Sequence, residues 1–137
     1  MAVTATPAFV QTLRAAQVVI TAATTDRASP GANVSALFTA GSNGSNVLAL
    51  WALPRATVTA TELQLYLSTD GGATKVYWDS VLMAAHTVAN TTAVVTTSFS
   101  RYSEASPLYL PASAILYAGA AVALAGGIVF NAIGGDL

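Results

Sequence analysis

The stretch LQLYLSTDGGATKVYWDSVLM, residues 63–83, decides the fold. Leu63, Leu65 and Leu67 alternate with Gln64, Tyr66 and Ser68, and a period of two sends successive side chains to opposite faces of a strand. Asp70-Gly71-Gly72 follows; glycine enters positive φ without the steric penalty of a Cβ, so these residues predict the tip of a hairpin. On the return, Val76, Trp78, Ser80 and Leu82 share one face, and Tyr77, Asp79, Val81 and Met83 the other. Both faces carry large apolar groups, so the hairpin is expected to bury one face in its own core and the other against a neighbour.

On either side the chain repeats the same theme of short β-prone runs separated by turn residues. Runs at 18–22, 35–39, 47–53 and 59–68 precede the hairpin return, the third stopping at Pro54, which has no N–H to donate to a central ladder. Runs at 93–99, 108–110, 114–118, 121–125 and 128–133 follow it. The pattern predicts an all-β protein, an antiparallel β-sandwich of jelly-roll-like form. A chain of 137 residues fits one hydrophobic core, so residues 18–137 are expected to form one domain. Residues 1–17 show no sustained period and read as an extended N-terminal arm in which Phe9, Val10, Leu13 and Arg14 are available for docking.

Hydrophobic residues make up 54% of the chain and charged residues 8%, against roughly 25% charge in an ordinary soluble domain. A free monomer stays dispersed through an interspersed charged surface, so this composition predicts a chain whose surface is covered by partners. The five basic residues, Arg14, Arg27, Arg55, Lys75 and Arg101, stand singly, whereas binding to phosphates uses clustered cations that displace counterions; no nucleic-acid partner is expected. The lack of cysteine excludes disulfides and thiolate-ligated zinc. The first residues lack the basic leader and continuous apolar run of a secretory signal and read as mature sequence.

Residues 115–133, ILYAGAAVALAGGIVFNAI, carry no charge and are long enough for a membrane-spanning helix. Gly119, Ala123 and Gly127 add the four-residue spacing of small residues that lets helices approach in lipid. Alanine and glycine drive insertion weakly, however, and no basic residue flanks either end; the same segment divides at Gly119 and at Gly126-Gly127 into strand-length runs. No membrane partner is therefore expected.

Chemistry-bearing residues are sparse. His86 is the single histidine, so one chain cannot build a two-histidine metal site, and no nucleophile elbow accompanies it. Gly41-Ser42-Asn43-Gly44-Ser45 is glycine-rich without the Lys-Ser/Thr ending that grips phosphate. The six carboxylates are too scattered for a calcium loop, although Glu62 and Asp79 lie on neighbouring runs where they could face one another as a glycosidase-like pair. Three Asn-X-Ser/Thr triplets, at Asn33, Asn43 and Asn90, have no secretion signal to go with them. The expectation is no enzyme, no cofactor, no metal and no small-molecule substrate. Aromatic residues within strands more often anchor cores and interfaces than sugars, which makes Tyr66, Tyr77 and Trp78 of the hairpin a second set of expected partner contacts.

The ordered set ATPAFVQT (5–12), LFTAGSNGS (37–45), the 63–83 hairpin, LYLPASAILYAG (108–119) and GGIVFNAIGGDL (126–137) resembles small virion proteins of tailed bacteriophages, in particular capsid decoration or cement proteins. The resemblance covers most of the chain and rests on turn and strand patterns. It implies a jelly-roll-like subunit, commonly trimeric, made in the bacterial host cytoplasm and seated on the outside of the virion's shell, with the major capsid protein and its own copies as partners. A receptor- or glycan-binding β-module of a tail or fibre is the alternative expectation.

Overall fold

The computed structural model describes residues 10–137, and they form nine strands. These are β1 (Thr12–Ile20), β2 (Ser35–Thr39), β3 (Ser45–Pro54), β4 (Thr61–Ser68), β5 (Val76–Met83), β6 (Thr97–Ser98), β7 (Leu108–Leu110), β8 (Ile115–Ala120) and β9 (Ile128–Asp136). Two antiparallel sheets result. Sheet A runs β1-β9-β3, with β6 and β7 both pairing along the far side of β3; sheet B runs β2-β8-β4-β5. Counting β6 and β7 as one broken strand, the chain changes sheet at every connection except the β4–β5 hairpin, which is the eight-strand jelly-roll order.

The two sheets close on one apolar core. Phe130 and Ile128 of β9, Leu50 and Val47 of β3, Leu63 and Leu65 of β4, and Leu116 of β8 all lie within it, almost or entirely removed from solvent. At the hairpin tip Gly71 and Gly72 take φ of 74° and 94°. Asp70 Oδ1 accepts the Thr74 N–H at 2.9 Å and the Ser68 hydroxyl at 2.8 Å, so the residues expected to close the hairpin do so.

Three sequence expectations change. Residues 12–17, assigned to the arm, are the first two-thirds of β1, paired with β9 from Thr12↔Asp136 to Ile20↔Ile128. Their alternation is hidden because Ala15 and Ala16 are weakly apolar on both faces and because an arginine takes a core-side position. Arg14 stacks over the Phe38 ring at 4.1 Å and bonds Asp136 at 2.9 Å. The run at 121–125 is a turn between β8 and β9, and the run at 93–99 contributes only the two residues of β6. The uncharged stretch 115–133 is strand and not helix: it divides into β8, that turn and the first part of β9, and no helix among the described residues is long and apolar enough to cross a membrane.

The outer face of sheet B is covered by the chain itself over β8 and β4, while Trp78 and Leu82 of β5 stay exposed. The β1–β2 connection, residues 21–34, lies across β8 and β4: Thr24 N–H donates to Ala120 O at 2.7 Å, Gln64 Nε2 donates to Thr24 O at 3.2 Å, and Val34 packs on Gly119. Tyr66 donates its hydroxyl to Gln64 Oε1 at 2.8 Å, and both side chains are entirely enclosed. This polar row under a loop explains why β4 has two buried faces. Tyr66→Phe should cost about 1–3 kcal/mol, because it strands a sealed acceptor; urea unfolding measures the loss.

Candidate assembly surface

Sheet A is built differently on its outer side. Alternation along β1, β9 and β3 turns Arg14, Ala16, Val18 and Ile20, Ile128, Phe130 and Ala132, and Val47, Leu50 and Ala52 toward the core side. The intervening residues form rows across the outer face, and the registers fix them. Val19, Val129 and Leu53 make the first row; Gln17, Asn131, Trp51 and Ser98 the second; Ala15, Ile133 and Ala49 the third; Leu13, Gly135, Asn46 and Tyr109 the fourth. The rows stay aligned past the bulge at Leu48, where the β3–β9 register shifts between Val47 and Ala49. None of these residues is charged.

Leu13 is 71% exposed, Tyr109 55%, Ile133 42% and Val19 39%. A scattered exposed leucine is ordinary, but a continuous uncharged face is the usual mark of an interaction surface. Near its centre a shallow depression of about 440 Å³ is lined by Ala15, Ala16, Gln17, Trp51, Asn131, Ala132 and Ile133.

The charges are spent elsewhere. Arg14 pairs with Asp136, which also accepts the Ser45 hydroxyl at 2.5 Å, and this node ties β1, β9 and β3 at one end of the sandwich. Arg27 pairs with Glu62 on the sheet B side, with Tyr77 donating its hydroxyl to the same carboxylate. Arg101 lies 3.5 Å from Asp79, and Asp26 and Asp70 accept backbone N–H groups of their own turns.

Those contacts shift titrations. The Arg27 hydrogen bond holds the Glu62 carboxyl below its ordinary range, and the Ser45 hydrogen bond, reinforced by Arg14, does the same for Asp136. Asp70 is held down to about 2 by the Thr74 N–H and then the Ser68 hydroxyl. A carboxyl whose folded pKa is depressed stabilises the fold above its unfolded pKa and loses that contribution as pH falls through the folded value. The thermal midpoint should therefore be flat near neutrality and fall from about pH 4 toward pH 2; Asp70→Asn should make the fall shallower. Calorimetry across that range checks it. Burial, followed by the Asp79 hydrogen bond, pushes the Tyr102 phenol up to about 12.

The expected contact residues are dispersed by the fold. Phe9 lies outside the described residues. Leu13 stands on the outer face of sheet A, and Val10 packs over Gly135 beside it. Arg14 turns away into the Asp136 node. Tyr66 is enclosed and has no surface to offer a partner. Tyr77 is drawn over the sheet B face by the β-bulge opposite Leu65 and Tyr66, where its ring meets Tyr66 edge-on at 5.5 Å. Trp78, 46% exposed, donates its indole N–H to the Tyr102 hydroxyl at 3.0 Å.

Sequence reasoning missed Val19, Trp51, Tyr109, Asn131 and Ile133 as a group. Each strand shows its own alternation, but only the registers bring residues more than a hundred positions apart into one row.

Glu62 and Asp79 do not face one another: they sit three register positions apart on opposite faces of the β4–β5 pair. His86 joins Val58 through paired main-chain bonds of 2.9 and 3.0 Å, and its Nε2 is shielded without a hydrogen-bond partner among the described residues. Among those residues no three His, Cys, Asp or Glu side chains gather as a metal site.

Fold and surface together define a class: an all-β sandwich with the middle of one sheet roofed by its own loop and the other, among the described residues, open and uncharged. No protein family, curated protein or solved structure matches the chain.

Proposed function

We propose that the protein is a structural subunit of a larger assembly, a decoration protein on the head of a tailed bacteriophage. The observation that carries the reading is the contrast between the two sheets. A chain with 8% charged residues covers β8 and β4 on the outer face of sheet B with its own 21–34 loop, whereas among the described residues the outer face of sheet A has no such cover. A surface of that kind is stable in water when companion subunits cover it. The jelly-roll order and the resemblance of the turn and strand pattern to head proteins support the phage assignment. Binding only the assembled shell stabilises it by mass action, and the contributions of many copies accumulate.

Purified protein added to heads that lack it should co-sediment to a saturating, symmetry-related copy number and raise the temperature at which the heads open. Failure to co-sediment under conditions where the protein is folded would overturn the assignment. The segment before β1, with Phe9, is assigned to the shell contact. Deleting residues 1–9 should abolish co-sedimentation and leave the fold intact, whereas a longer deletion through residue 16 removes half of β1.

A second reading, a glycan-binding module, is favoured by one observation: Trp51 beside the Asn131 amide, with the Gln17 amide beyond it, in the depression on sheet A. Aromatic platforms beside amides suit neutral sugars. Oligosaccharide titrations of the wild type and of Trp51→Ala would separate this reading from the first.

A further inference from the structure

We propose that the outer face of sheet A is covered by a second copy of the same face, packed about a two-fold axis that passes over Asn131. The inference rests on the assembly reading above and names the partner at that surface.

Three features of the face argue for a copy of itself. The first is size. A nine-residue strand is about 30 Å long and four strands span about 19 Å, giving a flat area on the order of 600 Å². The rows from Val19 to Ala15, which overlap across an axis over Asn131, make up on the order of 400 Å² of this, and side-chain relief adds to it; the contact is then at the lower end of specific interfaces, below the roughly 800 Å² per partner of the standard size.

The second is charge. Across a two-fold, a row on the axis meets itself and the rows on either side meet each other, so a charge on the face needs an opposite charge at the related position to avoid repulsion or desolvation. A face without charge is free of that penalty.

The third is the placement of the polar groups. The row Gln17–Asn131–Trp51 is a polar row between the two apolar rows of Val19 and Ala15, and neither amide has a side-chain hydrogen bond within 3.5 Å among the described residues. Covering these amides with apolar side chains would leave donors and acceptors stranded. An amide carries both a donor and an acceptor and is therefore complementary to another amide. A two-fold over Asn131 sets the row on itself and satisfies it. With the axis perpendicular to the strands, Val19, Val129 and Leu53 then meet Ala15, Ile133 and Ala49 of the copy, large groups against small at both ends of the row. The amides fix the register of an interface that apolar contact alone would leave free to slide, as a single buried asparagine does in a coiled coil. Decoration proteins of the kind this chain resembles are commonly trimers; the row pattern here specifies pairs.

Sedimentation equilibrium of the full chain reads the proposal. The wild type should be a dimer, and Asn131→Asp should weaken it by about a hundredfold or more at pH 7, since two carboxylates then meet on the axis. The same variant should re-dimerise as pH falls toward the ordinary carboxyl range, which shows that its fold is intact. Ile133→Glu should dissociate the dimer in the same way. A wild type that is monomeric at the concentrations where it decorates heads would overturn the dimer while leaving the assignment to the head standing. A dimer that never binds heads would do the reverse. Trimers, a dimer unaffected by either variant, or saturable binding of a neutral oligosaccharide to the amide row of a monomer would each overturn the proposal.

Discussion

Phe130→Ala is expected to destabilise the fold by about 3–5 kcal/mol. Phe130 is fully buried on β9, the strand held on one side by β1 and on the other by β3. Its ring projects from the middle of sheet A into the core shared with sheet B. Truncation removes the transfer energy of the ring and leaves a void that three paired strands cannot collapse to fill. Urea unfolding should show a lower midpoint with an unchanged slope, since the surface exposed on unfolding barely changes. Leu13→Ala, on the exposed face of the same sheet, should stay within about 0.5 kcal/mol of wild type. Equal losses at the two positions would mean that the core is placed on the wrong side of sheet A.

The second large effect comes from a residue with no side chain. Gly134 is paired with Arg14 of β1 and Val47 of β3. A Cβ at this position would collide with the Asn46 carbonyl oxygen and stand 3.0 Å from Val47 Cα. Those are backbone atoms, so no rotamer change relieves the clash, and β3 must move away from β9 where the ladder is already bulged at Leu48. Gly134→Ala should cost about 3 kcal/mol, at the upper end of overpacking effects. It should also speed amide exchange along β3 and β9 more than along β4 and β5. Exchange that rises evenly over both sheets would show a global effect without the local separation.

The local parts of the fold were legible in the sequence. Alternation in 63–68 and the Asp-Gly-Gly tip specify the hairpin, and the runs at 35–39 and 108–110 coincide with β2 and β7. β1 was cut short because its alternation is carried by alanines and interrupted by Arg14, whose core-side place makes sense only once Phe38 and Asp136 are beside it. Residues 121–125 have strand composition but turn geometry, because Leu124 N–H bonds back to Thr21 O and Gly127 N–H to Leu124 O.

The hairpin's second apolar face led to the expectation of a neighbour there; on β4 the chain's own 21–34 loop takes that place, while Trp78 and Leu82 of β5 stay exposed. Such coverage is a long-range fact with no local signature. The same holds for the open face. Leu13 was visible as a contact residue, whereas Ile133, Asn131 and Trp51 join it only through the β1–β9–β3 registers.

The most direct test of the account is side-chain footprinting by hydroxyl radicals, comparing the dilute protein with its assembled form. Leu13, Val19, Trp51 and Ile133 should become protected on assembly, while Trp78 and Leu82 on β5 keep their reactivity. Protection of Trp78 and Leu82 with an unchanged outer face of sheet A would contradict it.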